Sequence, residues 1–343
     1  MAHPGFFQRQ AHARRNTILL VFLFLTAVAF ITLAVCLVGY FVTRSESSGL
    51  AFHHWLLSNH GLLTAVTVVS LIVLGSLLRW VDLAGGGDRV AKMVGARPID
   101  PDTRDSDERK LRNIVEEMAI ASSVPVPEVY VMDGEEGINA FAAGYTLDDA
   151  VIGVTEGCMR RLQRDELQGV IAHEFSHILN QDMRLNLRLI AVIFGLVALA
   201  VLGRVLLRIG FYSSGNRSRR SSEGGGGGAA LAIGIIGLGL MATSGLGILM
   251  GNLIKSAVSR QREYLADSSA VQYTRNPEGL AGALKKIGAL SNGSRLLNTP
   301  NAAEASHMFF GAALSQSWFS ITSTHPPLLE RIQLLEPSFD GAF

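Results

Sequence analysis

Two long apolar runs near the start of the chain predict membrane-spanning helices. The run from Thr17 to Thr43 contains no charged residue, and the run from Leu62 to Leu78 is also uncharged and ends at Arg79-Trp80. A helix needs about 17 to 25 apolar residues to cross a bilayer. The first run is longer than the apolar part of a signal peptide, and no clear cleavage site of small residues follows it. We therefore predict two retained transmembrane helices.

Arginines predict which way these two helices cross the bilayer. Arg9, Arg14 and Arg15 precede the first run, whereas the connection between the two runs contains one arginine, Arg44. Because positively charged flanks favour the cytoplasmic side, the N-terminus is predicted to be cytoplasmic. Two spans then return the chain to the same side.

A second apolar pair lies further along the chain, from Leu189 to Gly203 and from Ala229 to Ile254. It can either span the bilayer twice or lie as a shallow hairpin, and the sequence leaves both alternatives open. The connection is rich in arginine, serine and glycine, and arginines are unusual on the outer side. We predict that this connection is a disordered loop.

The segments between and after these apolar pairs have the patterns of soluble helices and strands. Spacing of apolar positions predicts helices and strands in the following ranges: helices at Asp105 to Ser122, Gln261 to Tyr273, Pro277 to Leu290 and Leu328 to Leu335, and strands at Glu128 to Met132, Ile138 to Gly144 and Ala150 to Val154. Asp165, with Gln168 three residues later, is predicted to cap a further helix. The expected divisions are residues 1–82, 83–184, 185–254 and 255–343.

Composition agrees with a membrane protein and narrows the chemistry. The 343 residues are 48% apolar and 17% charged, against about 25% charged in typical soluble domains. A net charge of +1 gives no basic field, so no nucleic-acid partner is expected. The two cysteines, Cys36 and Cys158, are too few and too distant for a disulfide framework or a cysteine-based metal site.

The motif His173-Glu174-x-x-His177 is the clearest chemical feature of the chain. Histidines four residues apart lie on the same face of a helix, where both imidazoles can bind one zinc ion. The glutamate between them lies beside the metal and can accept a proton from water. A helix with two ordinary histidines is the alternative explanation.

A catalytic zinc site needs a third protein ligand. Asp182 lies five residues after His177, so a continuing helix would turn it away from the metal. His307 and His325 remain candidates, but Glu263 is the best one. Asp267 follows Glu263 by one helical turn and can orient a ligand histidine, although a solvated acidic face would have the same pattern.

Taken together, these motifs resemble those of the HtpX-like membrane zinc metalloproteases, relatives of the CAAX prenyl proteases. The resemblance is carried by the motifs His173-Glu174-x-x-His177, Asn180-x-Asp182, Glu263-x-x-x-Asp267, Asn139-Ala140-Phe141-Ala142 and Thr324-His325-Pro326-Pro327 with Glu330-Arg331-Ile332, and by the two N-terminal spans. It covers nearly the whole chain. The long loop rich in arginine, serine and glycine and the short tail depart from the family pattern.

The resemblance implies a mainly α membrane protein with an α+β zincin-type protease domain, a small β-sheet and an HExxH active-site helix. It implies one Zn²⁺ per chain, held by His173, His177 and Glu263. It also implies membrane-protein substrates, a role in quality control and a multi-pass place in the bacterial inner membrane with the active site facing the cytoplasm. The resemblance identifies no partner protease or chaperone.

Four further assignments complete the hypothesis of a zinc endopeptidase. Glu174 is the general base, and His325, or else His307, donates to the oxyanion. Arg331 orients the site through an ion pair. The segment from Asn139 to Ala142 is either an open sheet edge that pairs with substrate or a buried core strand.

Two other classes of protein fit the sequence less well than a protease does. A membrane scaffold or chaperone-like binder would use zinc structurally, but structural sites usually have four protein ligands with thiolates common. A transporter or channel is disfavoured because the first two spans carry no charged residue.

Overall fold

The computed structural model describes residues 6–43, 50–215, 226–290, 296, 308–310 and 325–342. The described chain is mainly helical and contains one small mixed β-sheet, as expected for the predicted fold class. It forms two compact units. One unit, here called the apolar unit, consists of Met1–Val81 and Ala191–Ile254, and the other, the mixed unit, consists of Asp82–Ile190 and Lys255–Phe343.

The helices and strands follow one another in this order: α1 Phe6–Thr43, α2 Phe52–Leu56, α3 Asn59–Asp82, a 3-10 turn at Leu83–Gly85, α4 Gly86–Met93, β1 Arg97–Pro98, α5 Ser106–Ser122, β2 Glu128–Met132, β3 Ala140–Ala143, β4 Val151–Thr155, α6 Glu156–Arg161, α7 Arg164–Leu179, α8 Asp182–Gly215, α9 Gly226–Thr274, α10 Pro277–Ala289 and α11 Leu328–Leu335. The predicted strands and soluble helices lie at these positions. The predicted helix from Gln261 to Tyr273 is the end of the unbroken 49-residue helix α9.

Among the described residues, three helical stretches are long and apolar enough to cross a membrane, namely Phe24–Thr43, Asn59–Met93 and Asp182–Tyr212. Apolar side chains such as Phe22 on α1 and Leu63 on α3 are more than half exposed. That exposure is typical of lipid-facing positions. The described part of α9 contributes a shorter apolar stretch, Ala230–Gly245, so full spanning and a shallow hairpin both stay predictions for this pair.

Glycine allows α8 and α9 to approach each other closely within the apolar unit. A methyl group placed at Gly237 would lie 2.5 Å from the backbone nitrogen of Leu207. Small residues allow such close backbone contact between membrane helices, where packing replaces the hydrophobic effect.

The sheet of the mixed unit has the strand order β1-β2-β4-β3. β2 and β4 are parallel, whereas β1 and β3 run antiparallel to their neighbours. Side chains of the sheet pack with α5, α7 and α10 in one core, which includes Val131, Ile152, Val170 and Phe175. The sheet and these helices bury the middle of α7, from Gly169 to Ser176.

The N-terminus of α7 differs from the prediction that Asp165 caps it. Gln163 is the capping residue, and Glu166 accepts a hydrogen bond from its backbone N–H at 2.7 Å. Asp165 instead lies in the first helical turn, where its charge favours the helix dipole without capping it. Glutamate at the third helical position reaches back to the cap residue, as in a capping box.

Candidate active site

The structure brings together His173 and His177 on α7 and Glu263 on α9. The two Nε2 atoms are 3.2 Å apart, and they lie 3.7 Å and 3.6 Å from the Glu263 carboxylate oxygens. One possible ligand atom from each of these residues lies within 4.8 Å of the others, and no other such group of three occurs in the described chain.

These distances suit zinc. Ligands about 2.0 to 2.1 Å from a tetrahedral zinc ion are about 3.4 Å apart. The separations of 3.2, 3.6 and 3.7 Å are close to that value. The donor set, two imidazoles and one carboxylate, is also one that catalytic zinc sites use.

The other nitrogen of each histidine ring contacts a carboxylate. Nδ1 of His173 lies 2.9 Å from Asp267, and Nδ1 of His177 lies 3.0 Å from Asp182. If each Nδ1 donates its proton, Nε2 keeps a lone pair that faces the third ligand. Each ring therefore contacts a carboxylate with one nitrogen and faces Glu263 with the other.

Asp267 is itself held by Arg331. The Arg331 Nε and Nη2 atoms donate to the two carboxylate oxygens at 2.8 and 2.7 Å, and Nη1 donates to the Phe310 carbonyl at 3.2 Å. Burial tends to raise the pKa of Asp267, but Arg331 and His173 outweigh it and lower that pKa. The carboxylate therefore stays ionised behind His173.

Glu174 is buried beside the two histidines. Neither of its carboxylate oxygens has a hydrogen-bond partner among the described residues. Burial raises the pKa of Glu174 to about 8, the range that suits a general base near neutral pH. Only 1% of Glu174 is exposed, so its side chain is not a solvated surface group.

The charge balance of the site also fits a divalent cation. Four buried carboxylates lie here, those of Glu174, Asp182, Glu263 and Asp267. The guanidinium groups of Arg262 and Arg331 contact two of them directly, at 2.7 Å in each case. Because the pKa of Glu174 is about 8, the other three carboxylates exceed these two cations by one charge at neutral pH, and by two when Glu174 ionises. Buried charge is costly without compensation.

Of the two candidate oxyanion donors, one is described. Nδ1 of His325 lies 3.0 Å from the Glu263 carboxylate, which places this imidazole next to the predicted third ligand. His307 lies outside the described residues. The geometry therefore places His325 at the site, and its role remains a prediction.

The segment from Asn139 to Ala142 lies at the edge of the sheet, beside the metal ligands. Asn139 is fully buried, and β3 pairs with β4 on one side. On the other side Phe309 forms a bridge to Phe141, and the Phe310 N–H donates to the Ala140 carbonyl at 2.7 Å. The chain itself thus covers the first half of the edge that was expected to pair with substrate.

Ala142, the next residue of β3, lines a cavity at the site together with Glu174, His177, Glu263 and Met308. The cavity measures about 20 Å³. A water molecule needs about 10 to 15 Å³ measured in the same way, so the cavity has room for about one water.

Sequence reasoning missed Asp182, Arg262 and Phe310 as parts of this site. Asp182 was set aside because α7 was expected to continue, but Gln181 adopts a left-handed φ of 55° and α8 starts at Asp182. Arg262 precedes Glu263 directly, and this adjacency was the one indication of its position. No feature of the sequence indicated that the Phe310 ring would lie 4.9 Å from the His173 ring.

Comparisons with known proteins identify the family. The model of peptidase family M48 matches residues 105–338. A protease HtpX homolog of Caldanaerobacter subterraneus subsp. tengcongensis is 37% identical over 336 residues, which are 98% of this chain and 99% of that one. An HtpX homolog of Thermoanaerobacter pseudethanolicus is 35% identical with the same coverage. The crystal structure of S. mikatae Ste24p aligns with a TM-score of 0.43 and 16% identity over 96% of this chain and 67% of that one. The chain belongs to peptidase family M48 and is an HtpX-like membrane metalloprotease.

Proposed function

We propose that this chain is a zinc endopeptidase that cleaves misfolded membrane proteins at the cytoplasmic face of the bacterial inner membrane. The observation that carries this proposal is the convergence of His173, His177 and Glu263 beside the Glu174 carboxylate. Protein quality control is the role that suits a protease of this kind, and it follows from the likeness to HtpX homologs.

Each residue of the site has one proposed role in the hydrolysis of a peptide bond. His173, His177 and Glu263 hold zinc, which when bound acidifies water and polarises the scissile carbonyl. Glu174 accepts the proton of the attacking water and passes it to the leaving nitrogen. His325 donates to the oxygen of the scissile carbonyl as negative charge develops there.

The second half of β3, beyond the bridge between Phe141 and Phe309, is the strand edge proposed to bind substrate. An extended peptide that pairs with Ala142 would lie next to Glu174, because both residues line the same cavity. Backbone pairing gives affinity with little side-chain selectivity, which suits a protease acting on many misfolded proteins. The residues Met308, Phe309 and Phe310 occupy the adjoining space, so we expect a bound peptide to displace Met308.

The purified full-length chain in detergent tests this function. With zinc, the wild type should cleave an unfolded membrane protein or itself, and a chelator should stop the cleavage. Glu174→Gln should retain zinc and lose about 10²- to 10⁴-fold in rate, because only the general base is removed. Glu136→Gln, at a side chain that is 72% exposed, is the matched control and should keep the rate. Wild-type activity in Glu174→Gln would refute the mechanism, and zinc binding without any cleavage would favour a scaffold.

A further inference from the structure

Each metal-binding histidine of the site is backed by a carboxylate that a guanidinium group holds. Behind His173 the partners are Asp267 and Arg331. Behind His177 they are Asp182 and Arg262, joined by an ion pair of 2.7 Å. The second set lies at the junction between α7 and α8, and the proposed reaction gives it no role.

Three local features place Asp182 behind His177. α7 ends at Leu179, and Asn180 turns its amide back to donate to the Ser176 carbonyl at 2.9 Å. Gln181 then takes a left-handed φ of 55°, which reverses the direction of the chain. Asp182 follows as the first residue of α8, and its carboxylate is 3.0 Å from Nδ1 of His177.

Arg262 fixes the other side of the same carboxylate. Its Nη1 lies 2.7 Å from Oδ1 of Asp182, while Oδ2 of Asp182 takes the contact with His177. Arg262 and Glu263 are consecutive residues of α9. One turn of α9 therefore supplies both a metal ligand and the cation that holds the carboxylate behind another ligand.

We propose that Asp182 and Arg262 are a positioning pair that holds the ring of His177 with Nε2 directed at the metal. This inference rests on the proposed zinc site. Neither residue belongs to the group of His173, His177 and Glu263, whose possible ligand atoms lie within 4.8 Å of one another. They act on the metal through the ring of His177.

The chemistry of imidazole explains why this position needs an acceptor. A neutral imidazole carries one N–H, and the nitrogen that carries it depends on the hydrogen bond offered to the ring. With a carboxylate at Nδ1, the proton stays there and the Nε2 lone pair is available. Without it, the Nε2–H form becomes populated and competes with metal binding, and the buried Nδ1 loses its partner.

The ring of His177 needs such support more than the ring of His173. The His173 side chain is completely buried and packs against Phe310, whereas the His177 side chain is 15% exposed. Packing therefore restrains His173 in addition to its contact with Asp267, whereas His177 depends more on its contact with Asp182. The residues Asp182 and Arg262 also line the cavity at the site, where a disturbance reaches the metal position directly.

Zinc affinity of the full-length protein in detergent tests this inference without any need for activity. Competition with a chromophoric chelator should show that Asp182→Ala binds zinc about 10- to 100-fold more weakly, the usual effect of losing such a partner. Asp182→Asn should lose less, because its amide oxygen can still accept from Nδ1. Arg262→Gln should weaken zinc binding in the same direction and less than Asp182→Ala.

Glu166→Gln is the matched control, since it alters the same helix at its capping end. It should lower the melting temperature of the metal-free protein and leave zinc affinity unchanged. The absorption spectrum of bound Co²⁺ should change in Asp182→Ala and stay like the wild type in Glu166→Gln, because it reports the geometry of the ligands and not the stability of the fold.

Wild-type zinc affinity and cobalt spectrum in Asp182→Ala would overturn the proposal. If Asp182→Ala does not fold, unchanged zinc affinity in both Asp182→Asn and Arg262→Gln would overturn it equally. The outcome is separate from that of the proposed function: a wild-type protein that binds zinc without cleaving peptides would refute the function and leave the positioning pair intact.

Discussion

At the scale of single residues, the site distributes four buried carboxylates among different tasks. Glu263 faces the two imidazoles, and Asp267 and Asp182 lie behind them. Glu174 has no hydrogen-bond partner among the described residues, and burial raises its pKa. These different environments suit the proposed roles: metal binding for Glu263, orientation of a histidine for Asp267 and Asp182, and proton transfer for Glu174.

Removing the third ligand should release the metal. Glu263→Ala leaves two imidazoles, too few for a catalytic zinc site. We expect zinc content to fall to a small fraction of one ion per chain after dialysis, measured by elemental analysis. Glu136→Gln, which changes an exposed acid, should bind zinc as the wild type does. An unchanged stoichiometry in Glu263→Ala would show that another residue is the third ligand.

Removing the arginine behind Asp267 should cost stability. Arg331→Leu leaves a buried carboxylate without its cation, a loss of about 3 to 5 kcal/mol. Denaturant unfolding of the full-length protein in detergent measures this. Arg160→Gln is the control: Arg160 pairs with Glu156 at 2.6 Å, but its side chain is 65% exposed, so the loss should stay below about 1 kcal/mol. Equal losses in the two variants would contradict the argument.

At the scale of elements, the position of α7 decides the geometry of the site. Its start is set by Glu166 reaching back to Gln163, and its end by the left-handed residue Gln181. Between these points it packs against α10 at Gly169. A methyl group at Gly169 would lie 2.8 Å from the backbone nitrogen of Leu280 and 2.9 Å from its Cα. The absence of a side chain at Gly169 thus allows α7 to approach α10 closely.

Gly169→Ala should push α7 away from α10. Overpacking of this kind costs about 1 to 3 kcal/mol, and here it would also move both histidines relative to Glu263. We expect lower stability together with weaker zinc binding, measured by denaturant unfolding and by chelator competition. Gly234→Ala, on α9, is the matched variant. Its added methyl group has no neighbouring atom within 4 Å, so it should keep zinc affinity. Normal zinc binding by a stable Gly169→Ala protein would contradict the expected shift.

At the scale of the whole molecule, one compact unit combines two distant parts of the chain. Asp82–Ile190 supplies both histidines and Lys255–Phe343 supplies Glu263, while Ala191–Ile254 between them belongs to the apolar unit. The metal ligands therefore come together only after the apolar segment between them has folded back. A membrane-spanning or membrane-bound hairpin meets that requirement, because it returns the chain to the side where it started.

Cysteine labelling tests the predicted orientation. The background variant has Cys36 and Cys158 replaced by alanine, and it receives either Leu57→Cys or Glu136→Cys. Leu57 lies between α1 and α3, and Glu136 lies in the mixed unit. Both positions are well exposed. A membrane-impermeant maleimide applied to spheroplasts should label the cysteine at 57 and should reach the one at 136 only after lysis. The opposite pattern would place the site outside the cytoplasm.

The sequence by itself determined the apolar helices, the strands and the candidate metal-binding histidines of α7, because these depend on local periodicity. Histidines four apart share a face of any helix, and an uncharged run of 27 residues suits a bilayer wherever it lies. Only the tertiary structure decided the partners of those histidines. A single left-handed residue, Gln181, turned Asp182 towards His177, and the packing of α9 placed Arg262 behind that carboxylate. The contact of Asp182 depends on a local break between two helices, and the contact of Arg262 joins residues far apart in the chain. Periodicity carries no information about either contact.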